Sequence, residues 1–451
     1  MPSATATASC PAPPAALPRR WTWFAALALA AAVALAYSNT FTVPFLFDDT
    51  DSILKNPTLH SWRTVFFPPS AHGETVSGRP LLNATFALNY AISGTNVWSY
   101  HLLNLLIHLF TGLTLFGLIR RTLAGKRVGW RARPAFWCAL AAAAIWLLHP
   151  LQTAAVTYIV QRAESLMALW YLLTLYCFAR AAESNVARAS SPCDDAPASP
   201  RSMGFQPMST ARNAAQSKIQ NPKSKIPWLA LSLLACALGM ATKEVMASAP
   251  LLVLLYDRAF VSGTLRAALR SRRKYYAALA ATWLILAACL LTSGFRGGSA
   301  GYDTPVTWWI YAITQCKAIL IYLKLVFWPA PQIFDYGIYF ERWPLQVLPH
   351  IIAVALLAAT ALYAIYRWPR AGIFGALFFA VLAPTSSVIP LVTQPMAEHR
   401  MYLPSAAIIT AVVVALWSLA RKGSGLNGTD LREVVVAFAR GNLHTKNYLT
   451  N

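Results

Sequence analysis

Two adjacent carboxylates, Asp48 and Asp49, are the first residues of the chain whose type and spacing could do chemistry. They lie in 44-PFLFDDTDSILKNP-57, directly after the first long apolar segment. Adjacent carboxylates repel each other, so one of them is expected to hold its proton closer to neutral pH. Such a group suits general base catalysis, which contributes about 10²–10⁴-fold in rate. A plainer interpretation stays open, because aspartate also caps the first turn of helices.

Further groups of polar residues stand beside apolar segments. They are Arg79, the stripe His101, Asn104 and His108, the pairs Arg162–Glu164 and Lys243–Glu244, and the run Glu398, His399 and Arg400. The stripe has i, i+3, i+7 spacing, which places its members on one helix face. Two histidines seven residues apart could hold a metal ion. No carboxylate lies on that stripe, so packing and lining a cavity are favoured.

The basic residue Arg400 stands out within the last of these groups. Its guanidinium fork suits a phosphate better than a point charge does. The competing interpretation is an interfacial anchor whose charged head reaches the water. The two acid–base pairs leave a similar choice open between neutralised structural pairs and walls of a pocket.

The composition predicts an integral membrane protein. The chain of 451 residues is 57% hydrophobic, whereas soluble domains average about 45–50%. The net charge of +22 would suggest nucleic acid in a soluble chain. Here Lys and Arg in cytoplasmic loops account for it, so no nucleic-acid partner is expected. The seven cysteines form no CxxC pair, so they indicate neither a zinc site nor a disulfide framework.

Ten apolar runs are expected to cross the bilayer as helices. They are 21–38, 97–119, 135–149, 164–182, 227–242, 245–257, 275–292, 347–366, 371–389 and 403–420. The basic loops 120–133 and 258–274 and the turn 366–370 are expected in the cytoplasm. Alternation then places 39–96 outside as a large first external loop. Asp48 and Asp49 therefore belong to the non-cytoplasmic face.

The segment 307–328 disturbs this alternation. It is long enough to cross, but counting it would move the turn 366–370 to the outside. We therefore expect 293–346 to be an external loop that contains an amphipathic or re-entrant helix. Its Lys317 and Lys324 fall near one helical face.

Three segments are expected to lie outside the membrane domain 21–420. Residues 1–20 are rich in Ala, Pro and Ser, and 184–226 are rich in Ser, Pro, Asn and Gln. Both read as disordered cytoplasmic segments, since such compositions cannot bury a core. Residues 421–451 form a short polar tail without a repeat.

Five sequence blocks, taken in order, resemble one family. They are FDDTDSILKNP, GRPLLNATFALNY…GTNVWSYHLLNLLIHL, HPLQTAAVTYIVQRAESL, TKEVMASAPLLVLLYD and EHRMYLPS. Together they resemble the membrane domain of the transmembrane and tetratricopeptide-repeat O-mannosyltransferases and their bacterial relatives. That family belongs to the C-type glycosyltransferase superfamily and is related to the protein O-mannosyltransferases. The resemblance covers roughly 40–420, apart from 184–226.

The resemblance implies a bundle of about ten or eleven transmembrane helices and an inverting transfer. The donor would be a polyprenyl-phosphate sugar, with mannose as a candidate, and the acceptor a hydroxyl of protein Ser/Thr or of a glycan. It implies the cell (inner) membrane, with the active site on the non-cytoplasmic face. No cofactor is firmly implied, and a divalent metal ion is not expected.

The resemblance also assigns roles to the polar residues named above. Either Asp48 or Asp49 would be the base. The donor phosphate would be held by Arg400, with Lys317, Lys324 and His399 in support. The pocket would be shaped by Arg79, His101, Asn104, Arg162, Glu164, Lys243, Glu244 and Glu398.

The chain also departs from the family pattern. The family usually continues with one more span and an array of helical repeats that faces outward. No such array follows 421–451, so the acceptor is open. Two alternatives remain: an inactive truncated scaffold of the same fold, and a transporter of a lipid-linked sugar. A transporter would place ionisable residues near the bilayer midplane and often shows inverted repeats, whereas no internal repeat is found here and the acids cluster in external loops.

Overall fold

The computed structural model describes residues 17–69, 74–186, 225–294, 301–302, 305–387 and 389–423. Within these ranges the chain forms α-helices, short 3₁₀ and π turns and no β-strand. The predicted all-α polytopic membrane fold is thereby confirmed. Most of the segments 1–20, 184–226 and 421–451 lie outside the described residues. Their described ends, such as Arg19 and Arg20, belong to the neighbouring helices.

The amino-terminal half contributes six helices to the described structure. They are α1 (Arg19–Ala36), α2 (Pro80–Ser93), α3 (Trp98–Ala124), α4 (Ala132–Leu147), α5 (Thr153–Thr157) and α6 (Arg162–Val186). Proline at the first position of α2 is compatible with a helix start, because the N–H it lacks would have had no helical partner.

The second half contributes eight more helices to the described structure. They are α7 (Lys225–Met240), α8 (Ala249–Asp257), α9 (Leu265–Ala281), α10 (Trp283–Thr292), α11 (Trp308–Phe327), α12 (Pro344–Arg367), α13 (Pro369–Leu382) and α14 (Tyr402–Gly423). Each of the ten predicted apolar runs coincides with one of these helices or with a closely spaced pair.

The number of helices that can cross a membrane alone is smaller than the ten predicted. Seven helical stretches of the described residues are long and apolar enough, or eight if α4 is counted with the bent segment Pro150–Thr157. The predicted runs at α7 and α13 form helices of 16 and 14 residues. At about 1.5 Å per residue, they are shorter than the hydrocarbon thickness of about 30 Å.

The core lies where α3, α4, α6 and α14 meet. Trp146 donates its indole N–H to the carbonyl of Tyr402 at 2.9 Å. His108 lies with Nδ1 2.7 Å from the Tyr402 hydroxyl and Nε2 3.0 Å from the carbonyl of Leu147. The side chains of Trp146, His108 and Tyr402 thus satisfy their polar groups within the apolar core, as most buried polar groups do.

One end of the helix bundle collects the basic loops. Arg127 Nε donates to the carbonyl of Val261 at 3.0 Å, and Arg258 donates to the carbonyl of Tyr366 at 3.2 Å. These bonds join the loops that follow α3 and α8 to the turn between α12 and α13, and we call this the basic end. Charge counting predicts that it faces the cytoplasm.

Helix α11 begins and ends at the opposite end. Near the first turn of α11, the Tyr311 hydroxyl donates to the carbonyl of Thr385 at 2.6 Å. Near the last turn of α11, the carbonyl of Val326 lies 2.9 Å from His149 Nε2. Thr385 follows α13 and His149 follows α4, and both helices run away from the basic end. Length and composition alone would allow α11 to cross. That it lies along the outer leaflet stays a prediction, which these contacts support.

The first loop is held on the bundle at the start of α2. Arg79 donates to both carboxylate oxygens of Glu244, each at 3.0 Å. Gly78 has φ +69°, and a Cβ at this position would lie 2.7 Å from the Ser293 hydroxyl. Only glycine combines that backbone conformation with so close an approach. This attachment keeps the loop that contains Asp48 against the helix ends.

Candidate functional site

A cavity of about 290 Å³ opens between the first loop and the bundle, at the end opposite the basic end. The ionisable side chains on its walls, apart from Tyr158, are Asp48, Asp51, Glu74, Arg79, Lys243, Glu244, Asp335, His399 and Arg400. Six of these nine were predicted from the sequence. Three acids come from the first loop, whereas Lys243, His399 and Arg400 come from turns between helices. The first loop therefore contributes mainly acids to the cavity, and the turns at Lys243 and Arg400 contribute most of the bases, which we call the basic wall. We call the space as a whole the candidate cavity.

The two adjacent aspartates have different surroundings. Asp48 lies on the cavity wall and accepts a bond from the Thr75 hydroxyl at 3.3 Å. Asp49 is 1% exposed and does not line the cavity. Its two carboxylate oxygens accept backbone N–H bonds from Leu46 and Val160, at 2.9 and 2.8 Å. Asp49 thus joins the first loop to the chain before α6, while Asp48 faces the space that a substrate could enter.

The backbone bends at Phe47, directly before the two carboxylates. Phe47 has φ +42°, a left-handed conformation that is uncommon for a bulky residue. The N–H of Asp48 donates to the Tyr158 hydroxyl at 3.0 Å, which holds the chain after this bend. Strained backbone of this kind costs of order 1–3 kcal/mol and often clusters at functional sites.

Burial changes the proton affinity of Asp49. Removal from water raises its pKa to about 7, against the opposing effect of the backbone bonds from Leu46 and Val160; the negative charge of Asp48 adds to the rise. Burial also raises the pKa of Glu74, and the nearby Asp51 adds to that rise. The expected raised pKa in the aspartate pair therefore falls on the member that is buried away from the cavity.

The basic wall is centred on Arg400. This side chain is 5% exposed, lines the cavity and donates to the carbonyls of Pro395 and Thr385 at 3.0 and 3.2 Å, and to that of Gln394. All its hydrogen bonds with described residues go to neutral oxygens. The backbone therefore orients the guanidinium without neutralising it, and its charge can act on an anion in the cavity.

The other two cations that line the cavity, Lys243 and Arg79, are each paired with a carboxylate. Lys243 lines the cavity and bonds with Glu164, and both side chains are buried. Arg79 is held by Glu244, as described above. Glu164 does not line the cavity. Glu164 contacts Lys243, which lines the cavity. The predicted influence of Glu164 on the pocket would therefore be indirect, through the position of Lys243.

Three residues predicted to shape the pocket lie elsewhere. Arg162 is fully buried and donates to Asn104 Oδ1 at 2.6 Å and to Asn89 Oδ1 at 2.7 Å. His101 Nε2 lies 2.9 Å from the carbonyl of Val43. Arg162, Asn104 and His101 do not line the candidate cavity. They join the first loop, α2 and α3 to α6, because their polar groups bond to one another and to backbone rather than to open space.

The two lysines of α11 also lie away from the candidate cavity. Lys317 pairs with Glu341 and lies 5.5 Å from the centre of the Tyr339 ring. Lys324 is exposed. Neither lines the cavity, so their support of a donor phosphate stays a prediction that this cavity does not favour. The spacing of seven residues placed them near one face, but that face does not turn to Arg400.

A segment missed from the sequence closes one side of the cavity. Residues 328–343, which we call the strap, bring Phe334 and Asp335 to its wall. Phe334 contacts the rings of Phe47 and Tyr158, with centroids 5.3 and 5.0 Å apart. Glu398 Oε1 holds this part of the strap by accepting bonds from the Ile333 N–H at 2.8 Å and the Tyr336 hydroxyl at 2.9 Å. Glu398 is therefore the clamp of the strap and not a cavity wall.

Other missed wall residues carry weak sequence signals. Asp51, Glu74, Tyr158 and Gln161 line the candidate cavity. Asp51 and Glu74 lie in the predicted external loop 39–96 but belong to no local motif there, and nothing in local spacing links Tyr158 to Asp48 across more than a hundred residues. Among the described residues, no three His, Cys, Asp or Glu side chains are grouped as metal ligands would be.

Comparisons with known proteins place similar sequences in one group. The mouse (Mus musculus) Protein O-mannosyl-transferase TMTC2 is 35% identical over 152 residues, which cover 32% of this chain and 17% of that protein. Drosophila melanogaster Tmtc2 is 31% identical over 170 residues, 35% of this chain and 17% of the relative. Mouse TMTC4 is 31% identical over 183 residues, 36% of this chain and 24% of the relative.

These relatives are named O-mannosyl-transferases of the TMTC group. They therefore support the resemblance of the five sequence blocks to TMTC-like proteins. The matched part spans between 17% and 24% of their length. No family model matches the chain, and no solved structure does.

Proposed function

We propose that this chain is a membrane glycosyltransferase of the C-type superfamily, related to the bacterial members of the TMTC-like group. The observation that carries the proposal is the placement of Asp48 and Arg400 on the walls of one cavity, although about 350 residues separate them. The relatives' names support a transfer of mannose to a hydroxyl. The proposed donor is a polyprenyl-phosphate sugar.

In the proposed reaction, Asp48 is the general base. Its carboxylate takes the proton of an acceptor hydroxyl, and the hydroxyl oxygen attacks the anomeric carbon of the sugar. The bond from that carbon to the lipid phosphate breaks, the phosphate leaves as an anion, and the configuration inverts. The exposure of Asp48 to the cavity supports this role over Asp49, whose oxygens are occupied by backbone N–H groups.

Arg400 is the proposed partner of the leaving phosphate. Donors that are already oriented before charge develops stabilise the transition state without further reorganisation. Arg400 meets this condition, because backbone carbonyls of Pro395 and Thr385 fix its guanidinium. His399 and Lys243 add polar groups on the same wall. Because the first loop contributes the carboxylates and the turns contribute this wall, base and phosphate site would lie on opposite sides of the sugar.

The proposed location of the reaction follows from the ends of the bundle. The basic end is expected in the cytoplasm, which puts the candidate cavity on the non-cytoplasmic face of the cell membrane. A lipid donor would keep its chain in the bilayer and present its reactive carbon at the headgroup level. The protein's partners would then be the bilayer, the lipid-linked donor and an acceptor protein or glycan.

The test is a transfer reaction in proteoliposomes with mannosyl-phosphate polyprenol and a Ser/Thr-rich acceptor peptide. We expect release of polyprenyl phosphate that depends on the acceptor and is lost in Asp48→Asn, while Asp51→Asn keeps most of it. Equal activity of Asp48→Asn and the unchanged chain would refute the assignment of the base. Donor binding without transfer to any acceptor would instead favour an inactive scaffold.

A further inference from the structure

A second cavity, of about 180 Å³, lies near the basic end between α3, α6, α8, α13 and α14. Its walls are mostly hydrocarbon side chains such as Leu118, Leu175, Leu252 and Phe374. Two of its polar groups, the hydroxyls of Thr122 and Tyr256, are bonded to each other at 2.6 Å. An apolar void of about 150 Å³ stays dry and takes up apolar guests. This cavity is therefore suited to a hydrocarbon guest and not to water.

The mouth of this cavity carries positive charge. Arg370, at the start of α13, lines the cavity and is exposed. Arg258 is held one turn away by its bond to the carbonyl of Tyr366. None of the lining residues is acidic, and the nearby Asp257 is already bonded to Arg272. A hydrocarbon pocket with an arginine at its entrance has the complementary chemistry of an anionic lipid.

We propose that this cavity binds one chain of an anionic phospholipid of the cytoplasmic leaflet, with its phosphate on Arg370. Anionic lipids of that leaflet attract basic residues near the membrane surface. The chain of the sugar donor is a poorer occupant. Its phosphate is required in the candidate cavity at the other end of the bundle and cannot also meet Arg370. The preference for a phospholipid over the sugar donor rests on the proposed function, whereas the binding of an anionic lipid at Arg370 does not.

The bound lipid would support the packing of α13. This helix has 14 residues, and its inner side faces the cavity through Phe374 and Leu377. A lipid chain would fill the space between α13 and the pair α3 and α6. It would thereby add contacts to a helix that is shorter than the bilayer core.

The experiment is native mass spectrometry of the full chain after reconstitution in vesicles of equal phosphatidylglycerol and phosphatidylcholine. We expect one retained phosphatidylglycerol per chain. Ala407→Phe fills the cavity, since Ala407 is 2% exposed and lines it, and should reduce retention about tenfold. Ala407→Val is the milder variant if the larger side chain prevents folding. Thr410→Val keeps the cavity's shape and should retain the lipid.

The headgroup is tested separately. Arg370→Gln should reduce the preference for phosphatidylglycerol over phosphatidylcholine about fivefold, which corresponds to about one basic contact. The matched control is Arg367→Gln, because Arg367 is exposed on the same turn but does not line the cavity. Undiminished retention in folded Ala407→Phe or Ala407→Val would overturn the proposal. So would equal retention of both lipids by the unchanged chain, or recovery of polyprenyl phosphate in place of phospholipid.

Discussion

Two buried arginines at the same end of the bundle have opposite surroundings. Arg162, where the first loop meets α6, has all three guanidinium nitrogens bonded to oxygens of Asn104, Asn89, Thr85 and Tyr100. Its guanidinium also lies over the Phe86 ring, 4.6 Å from the centroid. These contacts satisfy the N–H groups of Arg162 and leave no open space around its guanidinium. The Arg162 side chain therefore joins segments of the chain.

Arg400 is as well oriented as Arg162 but is not enclosed. Backbone carbonyls hold its two terminal nitrogens, its Nε makes no hydrogen bond with a described residue, and its side chain lines the candidate cavity. The difference shows that burial of a cation does not identify a site. What distinguishes Arg400 is access to open space together with donors left for a ligand.

The largest effect is expected at Asp48, the proposed base, which lines the same cavity as Arg400. Asp48→Asn should lower the rate of sugar transfer by about 10²–10⁴-fold, because the amide cannot accept the proton of the acceptor. The thermal unfolding temperature should change little. Asp51→Asn in the same loop is the matched control, since Asp51 pairs with the exposed Lys55. A comparable loss in the control would point to general electrostatics and away from a base.

Arg400→Lys tests whether the open arginine acts through its fork. Lysine keeps the charge but cannot make two parallel bonds to a phosphate. Loss of one oriented donor typically costs about 10²–10³-fold in kcat. We expect a loss in that range, measured as polyprenyl phosphate released per folded molecule. A variant as active as the unchanged chain would mean that Arg400 anchors the turn only.

Arg162→Lys should lower the stability of the fold and not the rate of transfer, the reverse of what is expected for Arg400→Lys. Lysine cannot reach all the oxygens around Arg162, and each buried polar group left unpaired costs about 1–3 kcal/mol. We expect the free energy of unfolding to fall by about 2–4 kcal/mol, measured by thermal or denaturant unfolding in detergent. The rate per folded molecule should stay close to that of the unchanged chain. A stable but inactive variant would remove the distinction between the two arginines.

Glu398→Gln tests the clamp that holds the strap beside Arg400. Bonds to a charged acceptor are roughly twice as strong as neutral ones, so the strap should be released more often. We expect about a fivefold rise in KM, equivalent to about 1 kcal/mol, and faster proteolysis within 328–343. Tyr336→Phe removes one of the two bonds to the carboxylate and should give a smaller change in the same direction.

A smaller effect is expected in the pH dependence of stability. Because burial raises the pKa of Asp49 to about 7, the folded chain keeps a proton that the unfolded chain releases above about pH 3.9. This contribution to stability is complete below the unfolded pKa and is lost as the pH rises to about 7. The unfolding temperature should therefore fall by a few degrees between about pH 4 and 7. Asp49→Asn should flatten that slope, whereas an unchanged slope would show that Asp49 is already ionised in the folded chain over this pH range.

The helices and the grouping of the blocks could be predicted from the sequence. Long apolar runs have few alternatives in a bilayer, where backbone groups must bond internally, and all ten runs are helical. Basic loops also indicated one common end. The shared cavity of Asp48 and Arg400 agrees with the roles that the family resemblance assigned to them.

The choice between Asp48 and Asp49 could not be predicted. It depends on the left-handed backbone at Phe47 and on an N–H of Val160 more than a hundred residues away. The strap was missed for a similar reason. Phe334 and Asp335 reach the wall because Glu398 holds the strap, and the position of Glu398 beside Arg400 suggested a direct role and not a clamp. The pairing of Lys317 with Glu341 could not be predicted either, because helical spacing gives a face but not the neighbour of that face.

The junction of α6 and α7 has a practical consequence. Near the basic end the guanidinium of Arg180 lies over the Trp228 ring, 4.6 Å from its centroid, and Ser232 donates to the carbonyl of Thr174 at 2.8 Å. The two helices therefore recognise each other through their own side chains. The polypeptide could be cut between them and expressed as two separate fragments that reassemble in the membrane. Each half would then accept its own affinity tag or label at the new terminus, far from the candidate cavity.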